Sequence, residues 1–418
     1  MKILAFIMLI LGCTTVFAQT NNLTLEEVLN YAKQNNPDIK KAEASINSAK
    51  GRFWENISLP QPNVSASYEF IPKGKSLSGY DERTIEISQE FEFPTTYYFK
   101  GLNASTEIDI AKNSLQQVIN QICFEVSSNY YDVLEKKEQC NLALENYNLS
   151  VEFKTKSTIR YKSGEASNIE NLTAELQMIE AENTLGKTKT DYNNSLKELF
   201  ILIGKSYSEN TEDITIIDSL EYTPIIVSAE QLINFAVNNN PLIVDQKLNT
   251  QISSTNKSLA YSSILPTFSI SYMKQANAES ANFYGWNFGI SVPIWFMFDQ
   301  RGKIQQAYAD CSLSEYELQK TINTTVAGIN NTIANFETIK KQIETYKSKL
   351  LPYTKEIYQT ALKSYQAGEI SYMEFIMAKQ TNIKIKEDYI SLLKEYNVLI
   401  SKLTLLTGTD IKFLEVSK

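Results

Sequence analysis

The sequence TLEEVLNYAKQNNPDIK at Thr24–Lys40 returns later in the chain as SAEQLINFAVNNNPLIV at Ser228–Val244. Pro37 of the first copy corresponds to Pro241 of the second, a separation of 204 residues (241 − 37 = 204). Matches at this separation continue along each copy as far as a closing glycine, Gly204 or Gly408. Solenoid repeats are only about 20–50 residues long. We therefore interpret the pattern as the duplication of a structural half.

The first 18 residues have the features of a secretory signal peptide. Lys2 supplies a positive charge, an apolar run follows, and Val16–Ala18 resembles a cleavage site. The apolar run is too short to span a membrane. A second interpretation is a lipoprotein signal in which Cys13 carries the lipid. The sequence thus predicts export and leaves two alternatives for the processing site.

The duplication also sets the expected domain boundaries. After the signal peptide at residues 1–18, we expect the following units: a first half at 19–204, a linker at 205–226, a second half at 227–408 and a C-terminal tail at 409–418. The linker is polar and acidic, which is typical of an exposed connection.

The composition excludes several functions. The chain of 418 residues has a net charge of −8, which opposes binding to nucleic acid. It contains no histidine, which is the commonest general base and metal ligand in proteins. It also contains no glycine-rich nucleotide motif and no cluster with metal-ligand spacing. We therefore expect no catalytic residue, no cofactor, no metal site and no enzymatic activity.

Two segments in each half alternate apolar and polar residues with the period of a β-strand. They predict β-hairpins at about 62–94 and about 266–293. Each segment is roughly ten residues long, the length that a tilted strand needs to cross a bilayer. If the apolar side chains face lipid, alternation directs the polar ones into a barrel lumen. The acidic residues expected in that lumen are Glu69, Glu86, Glu90 and Glu92.

Long helical segments follow each hairpin. We expect helices at about 102–162 and 166–203 in the first half, and at about 302–363 and 371–407 in the second. A helix of sixty residues spans roughly 90 Å. Pro352 interrupts the third of these segments, and we expect it to kink the helix or to start a new one.

Four strands cannot close a barrel, and an open sheet edge in lipid leaves backbone groups without hydrogen bonds. Several chains would therefore have to combine their strands. Three chains would supply about twelve strands, which lies within the range of known membrane barrels. The alternative is an exported coiled-coil scaffold or adhesin, without channel activity, whose strands pair outside a membrane.

Several motifs occur in the same order in both halves. They are an Ala-x-x-Asn-Asn-Pro opening, a Leu-Pro before the first strand, a Tyr-x-x-Gly-Glu turn, and an alanine ten residues after the glycine of that turn, Ala174 or Ala378. Because these motifs occur in this order and are repeated in both halves, the chain resembles the TolC-like outer-membrane efflux channels over essentially its whole mature length. The segment Phe91–Tyr97 resembles most the heavy-metal-efflux branch.

The resemblance implies a mostly α-helical fold with a membrane β-barrel portion. Each protomer would contribute four strands to a trimeric twelve-strand barrel and two hairpins to a long α-helical coiled-coil barrel. The implied function is a passive exit duct that carries small molecules or metal cations out of a tripartite efflux system. The duct would lie in the outer membrane of a Gram-negative bacterium, with a large periplasmic portion. Its partners would be two further copies of the chain, a periplasmic adaptor (membrane fusion protein), an inner-membrane pump and outer-membrane lipid.

The resemblance also implies where the functional residues lie. The turns that dock the adaptor would be formed by Tyr161, Gly164, Glu165, Tyr365, Gly368 and Glu369. An acidic residue six positions after the glycine lines the pore constriction in relatives, and here these residues are Glu170 and Glu374. Relatives have an acid at the position of Met377 and an arginine at that of Ile370. This departure puts the relatives' ionic latch in doubt and leaves apolar packing as the alternative.

Overall fold

The structure of the chain is a computed structural model that describes residues 22–205, 215–216, 218–226, 228–277, 282–295 and 298–409. The described residues do not include the expected signal peptide, so neither interpretation of its processing site is covered. They also omit part of the expected linker and almost all of the expected C-terminal tail.

The elements of the first half follow one another in the order that the sequence predicts. They are the short strand β1 (Asn22–Leu23), helices α1 (Leu25–Asn35) and α2 (Pro37–Ile57), strands β2 (Asn63–Glu69) and β3 (Glu82–Phe91), and the long helices α3 (Pro94–Lys162) and α4 (Asn168–Leu202).

The short strand β4 (Thr215–Ile216) lies in the segment expected to be a linker and pairs in parallel with β1. The second half then repeats the order of the helices and long strands of the first. Its elements are helices α5 (Ala229–Asn239) and α6 (Pro241–Ser262), strands β5 (Thr267–Asn277) and β6 (Asn282–Ser291), and helices α7 (Asp299–Thr345), α8 (Leu351–Ala367) and α9 (Tyr372–Thr407). A π-helical turn at Tyr346–Leu350 joins α7 to α8, and Pro352 lies in the first turn of α8. The backbone stays helical from α7 through this turn into α8, so the irregularity next to Pro352 is a π-helical turn and the helical path is not broken there.

The duplicated asparagine–proline sequence closes each half on itself. Asn36 caps α2 by accepting a hydrogen bond from the backbone N–H of Asp38, and its amide donates to the carbonyl of Leu202 at 2.7 Å. In the second half, the amide of Asn240 donates to the carbonyl of Leu406 at 2.7 Å. The start of the second short helix is therefore tied to the end of the returning long helix in both copies.

The four long strands form one antiparallel sheet in the order β2-β3-β5-β6, which leaves β2 and β6 at its edges. Register places Val64, Ile87, Tyr272 and Trp286 in one row across the sheet. The row Asn63, Ser88, Ser271 and Asn287 lies on the opposite face. One face is thus mainly apolar and the other mainly polar. Val64 is 66% exposed and Trp286 61% exposed, so the apolar face is not covered within the described chain.

The helix α3 begins earlier than the sequence predicts. We expected its start near residue 102, whereas it starts at Pro94, directly after the hairpin. Proline suits the first helical turn because the N–H that it lacks would have no partner there. The helix therefore begins within three residues of the end of β3. The pattern of apolar residues does not show where the strand ends and the helix begins.

The long helices pack side by side. Contacts join α4 to α3, α3 to α9, and α9 to α8, so α3 and α9 lie in the middle of the row. Corresponding positions of the two halves are buried at the ends of the hairpins nearest the short helices, for example Val28 with Leu232 and Leu199 with Leu403. Among the helices that the structure describes, none combines the length and the apolar composition needed to cross a membrane.

Candidate functional site at the hairpin tips

Each long helical hairpin reverses at a glycine in the left-handed conformation. Gly164 has φ +81° between α3 and α4, and Gly368 has φ +77° between α8 and α9. The backbone N–H of each glycine donates to the carbonyl of the tyrosine three residues earlier, Tyr161 or Tyr365, at 3.1 Å. Residues other than glycine rarely adopt this conformation. Glycine is therefore the residue that allows each hairpin to reverse at this position.

A serine caps the helix that leaves each turn. The Ser167 hydroxyl accepts a hydrogen bond from the backbone N–H of Glu170, and the Ser371 hydroxyl accepts one from that of Glu374. In the second hairpin, the carboxylate of Glu374 also accepts hydrogen bonds from the backbone N–H and the hydroxyl of Ser371, each at 2.8 Å. These hydrogen bonds lower the pKa of Glu374 below its ordinary value. Glu374 is therefore an exposed, ionised carboxylate at a helix N-terminus.

Glu170 lies in a different environment, although it occupies the corresponding position of the first half. Its carboxylate pairs with the Arg160 guanidinium at 3.2 Å and accepts a hydrogen bond from the Tyr365 hydroxyl at 2.5 Å. The guanidinium also donates to that hydroxyl at 3.0 Å. Burial and then the Glu170 carboxylate raise the pKa of Tyr365. The three side chains form a latch that joins the two hairpins within one chain.

Aromatic side chains pack beneath this latch. The ring of Tyr365 stacks on Phe375 with centroids 5.5 Å apart, and Phe153 lies 4.7 Å from Phe375. Tyr372 and Ala174 complete the buried cluster. The inner junction between the hairpins is therefore held by apolar packing together with the hydrogen bonds that join Tyr365 to Glu170 and Arg160, whereas the ion pair of Arg160 with Glu170 lies within the first hairpin. Neither Ile370 nor Met377 can supply the charged groups of the relatives' ionic latch, and the hydrogen-bonded group of Arg160, Glu170 and Tyr365 involves other positions.

The site predicted from the sequence does not include Arg160, Phe153, Tyr372 or Phe375. A signal for them exists in the differences between the halves. At a separation of 204 residues, these four positions correspond to Ser364, Ile357, Asn168 and Asn171. At these four positions an ionic or aromatic residue occurs in one half and a different kind of residue in the other. The difference could have indicated that the two hairpin tips pack against different neighbours.

The remaining tip residues face outward. Tyr161 is 43% exposed, and no hydrogen bond to its hydroxyl is present among the described residues. Glu165 and Glu369 are exposed, and the Glu369 carboxylate accepts a hydrogen bond from the Ser364 hydroxyl at 3.0 Å. Tyr161 and Tyr365 thus occupy equivalent positions in the sequence but have different surroundings.

The acidic residues of the first β-hairpin do not all share one environment. Glu69, Glu86 and Glu90 lie at alternating positions on the polar face of the sheet. Glu92 lies beyond the end of β3, and its carboxylate pairs with the Lys100 ammonium at 2.6 Å. Three of the four carboxylates therefore point to one side of the sheet, and the fourth has a counter-charge. Within the part of the chain that the structure describes, no group of histidine, cysteine and acidic residues could hold a metal ion.

Comparison with known proteins shows which proteins the chain is similar to. Residues 232–409 match the family model described as "Outer membrane efflux protein". The cobalt-zinc-cadmium resistance protein CzcC of Cupriavidus metallidurans is 21% identical over 296 residues, which cover 70% of this chain and 68% of CzcC.

Solved structures show the same fold. The CmeC outer membrane channel of Campylobacter jejuni superposes with a TM-score of 0.78 and 16% identity, over 94% of this chain and 88% of CmeC. The MtrE outer membrane channel of Neisseria gonorrhoeae, in its open state, gives a TM-score of 0.77 and 14% identity, over 93% of this chain and 89% of MtrE. The resemblance to TolC-like outer-membrane efflux proteins and the predicted fold class are confirmed.

Proposed function

We propose that this relative of the outer membrane efflux proteins is the passive exit duct of a tripartite efflux system in the outer membrane of a Gram-negative bacterium. The observation that carries the proposal is the four-stranded sheet with an exposed apolar face and two edge strands, β2 and β6. In each half the second strand, β3 or β6, is followed in the chain by a long helix, α3 or α7. An apolar outer face suits lipid, and lipid requires that no sheet edge stays open. Three copies would close a barrel of about twelve strands.

The passage is proposed to be passive and without chemistry of its own. The adaptor and the inner-membrane pump would supply the direction of transport. The exposed turn residues Tyr161, Glu165 and Glu369 are proposed to contact the adaptor, because they project at the ends of both hairpins. Gly164 and Gly368 would hold those ends in shape.

The similarity to CzcC supports metal cations as the cargo, with other small molecules as the alternative. Single-channel recording on the purified trimer tests the duct, and an exported scaffold or adhesin would give no conductance. Deletion of the gene in its own host tests the cargo. We expect increased sensitivity to cobalt, zinc and cadmium, whereas increased sensitivity to organic toxins alone would exclude the metal assignment.

We further propose that the tip contains a second junction, between neighbouring copies, which repeats the junction within each copy. The separation of 204 residues relates Tyr365 to Tyr161 and Glu170 to Glu374. Within one chain, the hydroxyl of Tyr365 in the second hairpin reaches Glu170 in the first. In a ring of alternating hairpins, Tyr161 of one copy would therefore reach Glu374 of the preceding copy. Three such contacts and three copies of Glu170 would surround the constriction.

Cross-linking tests this junction directly. Cysteines at positions 161 and 374, in a chain whose native cysteines are replaced by serine, should be joined between chains by a short bismaleimide. The expected product is a covalent trimer in denaturing gels. The reference pair, cysteines at 170 and 365, should be joined within one chain and should remain monomeric.

Two outcomes separate the junction from the duct. A native trimer that conducts but gives no cross-link between positions 161 and 374 would contradict the junction and leave the duct intact. A protein that stays monomeric and does not conduct would contradict the duct itself.

A further inference from the structure

A cavity of about 340 Å³ lies between the two hairpins, away from their tips. It is bounded by α3, α8 and α9, roughly 15–35 Å from the turns at 1.5 Å per residue. Its wall has an apolar part formed by Leu142, Leu149, Leu351 and Ile383. Its polar part is formed by Lys355, Lys379, Lys386, Glu145, Asn146, Tyr358, Gln359 and Asn382.

The most unusual of these residues is Lys379. Its side chain is 4% exposed, and its ammonium donates to the Ser150 hydroxyl at 2.9 Å. No carboxylate among the described residues lies within ion-pair distance of it. A buried charge without a counter-charge is costly. Burial lowers the pKa of Lys379 to about 8, so most of the molecules still carry the ammonium at neutral pH.

The other charged groups around the cavity do not supply the missing counter-charge. Lys355 comes from α8 and Lys386 from α9, and among the described residues of the wall the acidic one is Glu145 on α3. The Glu145 carboxylate pairs with the Lys386 ammonium at 3.4 Å. Three cations therefore surround the cavity with one anion, and that anion already has a partner.

The basic character is a property of the second half alone. At a separation of 204 residues, Lys355, Lys379 and Lys386 correspond to Val151, Glu175 and Glu182. The duplicated unit therefore does not require lysine at these positions. Since a buried lysine opposes folding, its presence calls for an explanation other than the architecture of the hairpin.

We propose that this cavity binds an organic anion, a carboxylate on a small apolar body, with the carboxylate at Lys379 and the body against the leucine and isoleucine side chains. A carboxylate accepts charge-assisted hydrogen bonds from ammonium groups, which are stronger than those between neutral groups. The volume lies in the range of sites for small organic ligands and far exceeds that of one water molecule. The ligand would link α3, α8 and α9, and thus stiffen the junction between the hairpins.

Equilibrium dialysis of the full-length protein in detergent tests the proposal with 2-naphthoate as the probe. The neutral analogue 2-naphthalenemethanol has the same apolar body without the charge. We expect Lys379→Met to weaken naphthoate binding about tenfold or more, since a hydrogen bond to a charged group is lost. Lys363→Met, the same substitution on an exposed part of α8, is the matched control and should leave binding unchanged.

A second variant keeps Lys379 and fills the cavity. Leu149→Trp should fill the cavity and abolish naphthoate binding even if Lys379→Met does not fold. The site also predicts that naphthoate binding weakens as the pH rises above about 8, where the Lys379 ammonium is lost. Equal binding of naphthoate and of its neutral analogue, or binding unaffected by both Lys379→Met and Leu149→Trp, would overturn the proposal.

Discussion

At the scale of single residues, the buried ammonium of Lys379 makes the stability of the helical hairpins depend on pH. Its pKa is about 8 in the folded chain, against 10.5 for an ordinary lysine. Between these values the unfolded chain binds more protons, so the stability rises with pH. Below about pH 8 both states are protonated, and the whole penalty, about 3 kcal/mol at most, is present.

Lys379→Met should therefore raise the free energy of unfolding at pH 7 by up to about 3 kcal/mol and remove the rise between about pH 8 and 10.5. Chemical denaturation across this pH range, without added organic acids, measures both effects against Lys363→Met. A variant that is less stable than the parent at pH 7 would show that the ammonium already has a counter-charge.

At the scale of elements, the hairpin turns depend on backbone conformation. Proline fixes φ near −65°, so Gly368→Pro or Gly164→Pro cannot keep the observed turn and also loses the N–H that bonds the preceding tyrosine. We expect both variants to form trimers in the outer membrane and to lose efflux, as measured by resistance in cells. Gly368→Asn is the matched control, because asparagine tolerates the left-handed conformation, and it should retain efflux. Normal efflux in both proline variants would remove the tips from the docking surface.

The helices and strands could be predicted from the sequence where they depend on residues that are close together in the chain. The Thr-x-x-Glu spacing of Thr24 and Glu27 forms a capping box at the start of α1, and the π-helical turn lies directly before Pro352, in the segment where an irregularity was expected. Alternation of side chains predicted the strands. Gln89 is a polar residue on the mainly apolar face, and its amide donates a hydrogen bond to the carbonyl of Pro60. The latch could not be predicted, because Arg160 and Tyr365 are 205 positions apart and meet only when two hairpins pack.

At the scale of the whole molecule, the proposed trimer predicts cation selectivity. Three copies each of Glu69, Glu86 and Glu90 would face the barrel lumen, and three copies of Glu374 would lie at the constriction. Rings of carboxylates favour cations, and the preference should weaken at high salt. Glu374→Gln should reduce the preference more than Glu90→Gln, because the narrow part of a channel sets its resistance. Glu170→Gln should change it less than Glu374→Gln, since Arg160 already balances Glu170.

Reversal potentials across a salt gradient measure this selectivity in planar bilayers. Anion preference in the unmutated channel would show that these carboxylates do not line the path. A larger change on neutralising Glu170 than on neutralising Glu374 would mean that the latch opens in the conducting state.

The bonds from Asn36 to Leu202 and from Asn240 to Leu406 have a consequence for the history of the gene. In each half the two bonded residues are 166 positions apart in sequence and adjacent in space. When the beginning and the end of a unit are in contact, the unit can be duplicated in tandem without disturbing its packing. The new connection between the two copies then lies outside the packed part of each. Each unit can then accept substitutions independently, which is consistent with the different residues that the two hairpins contribute to one latch: Glu170 and Arg160 from the first and Tyr365 from the second.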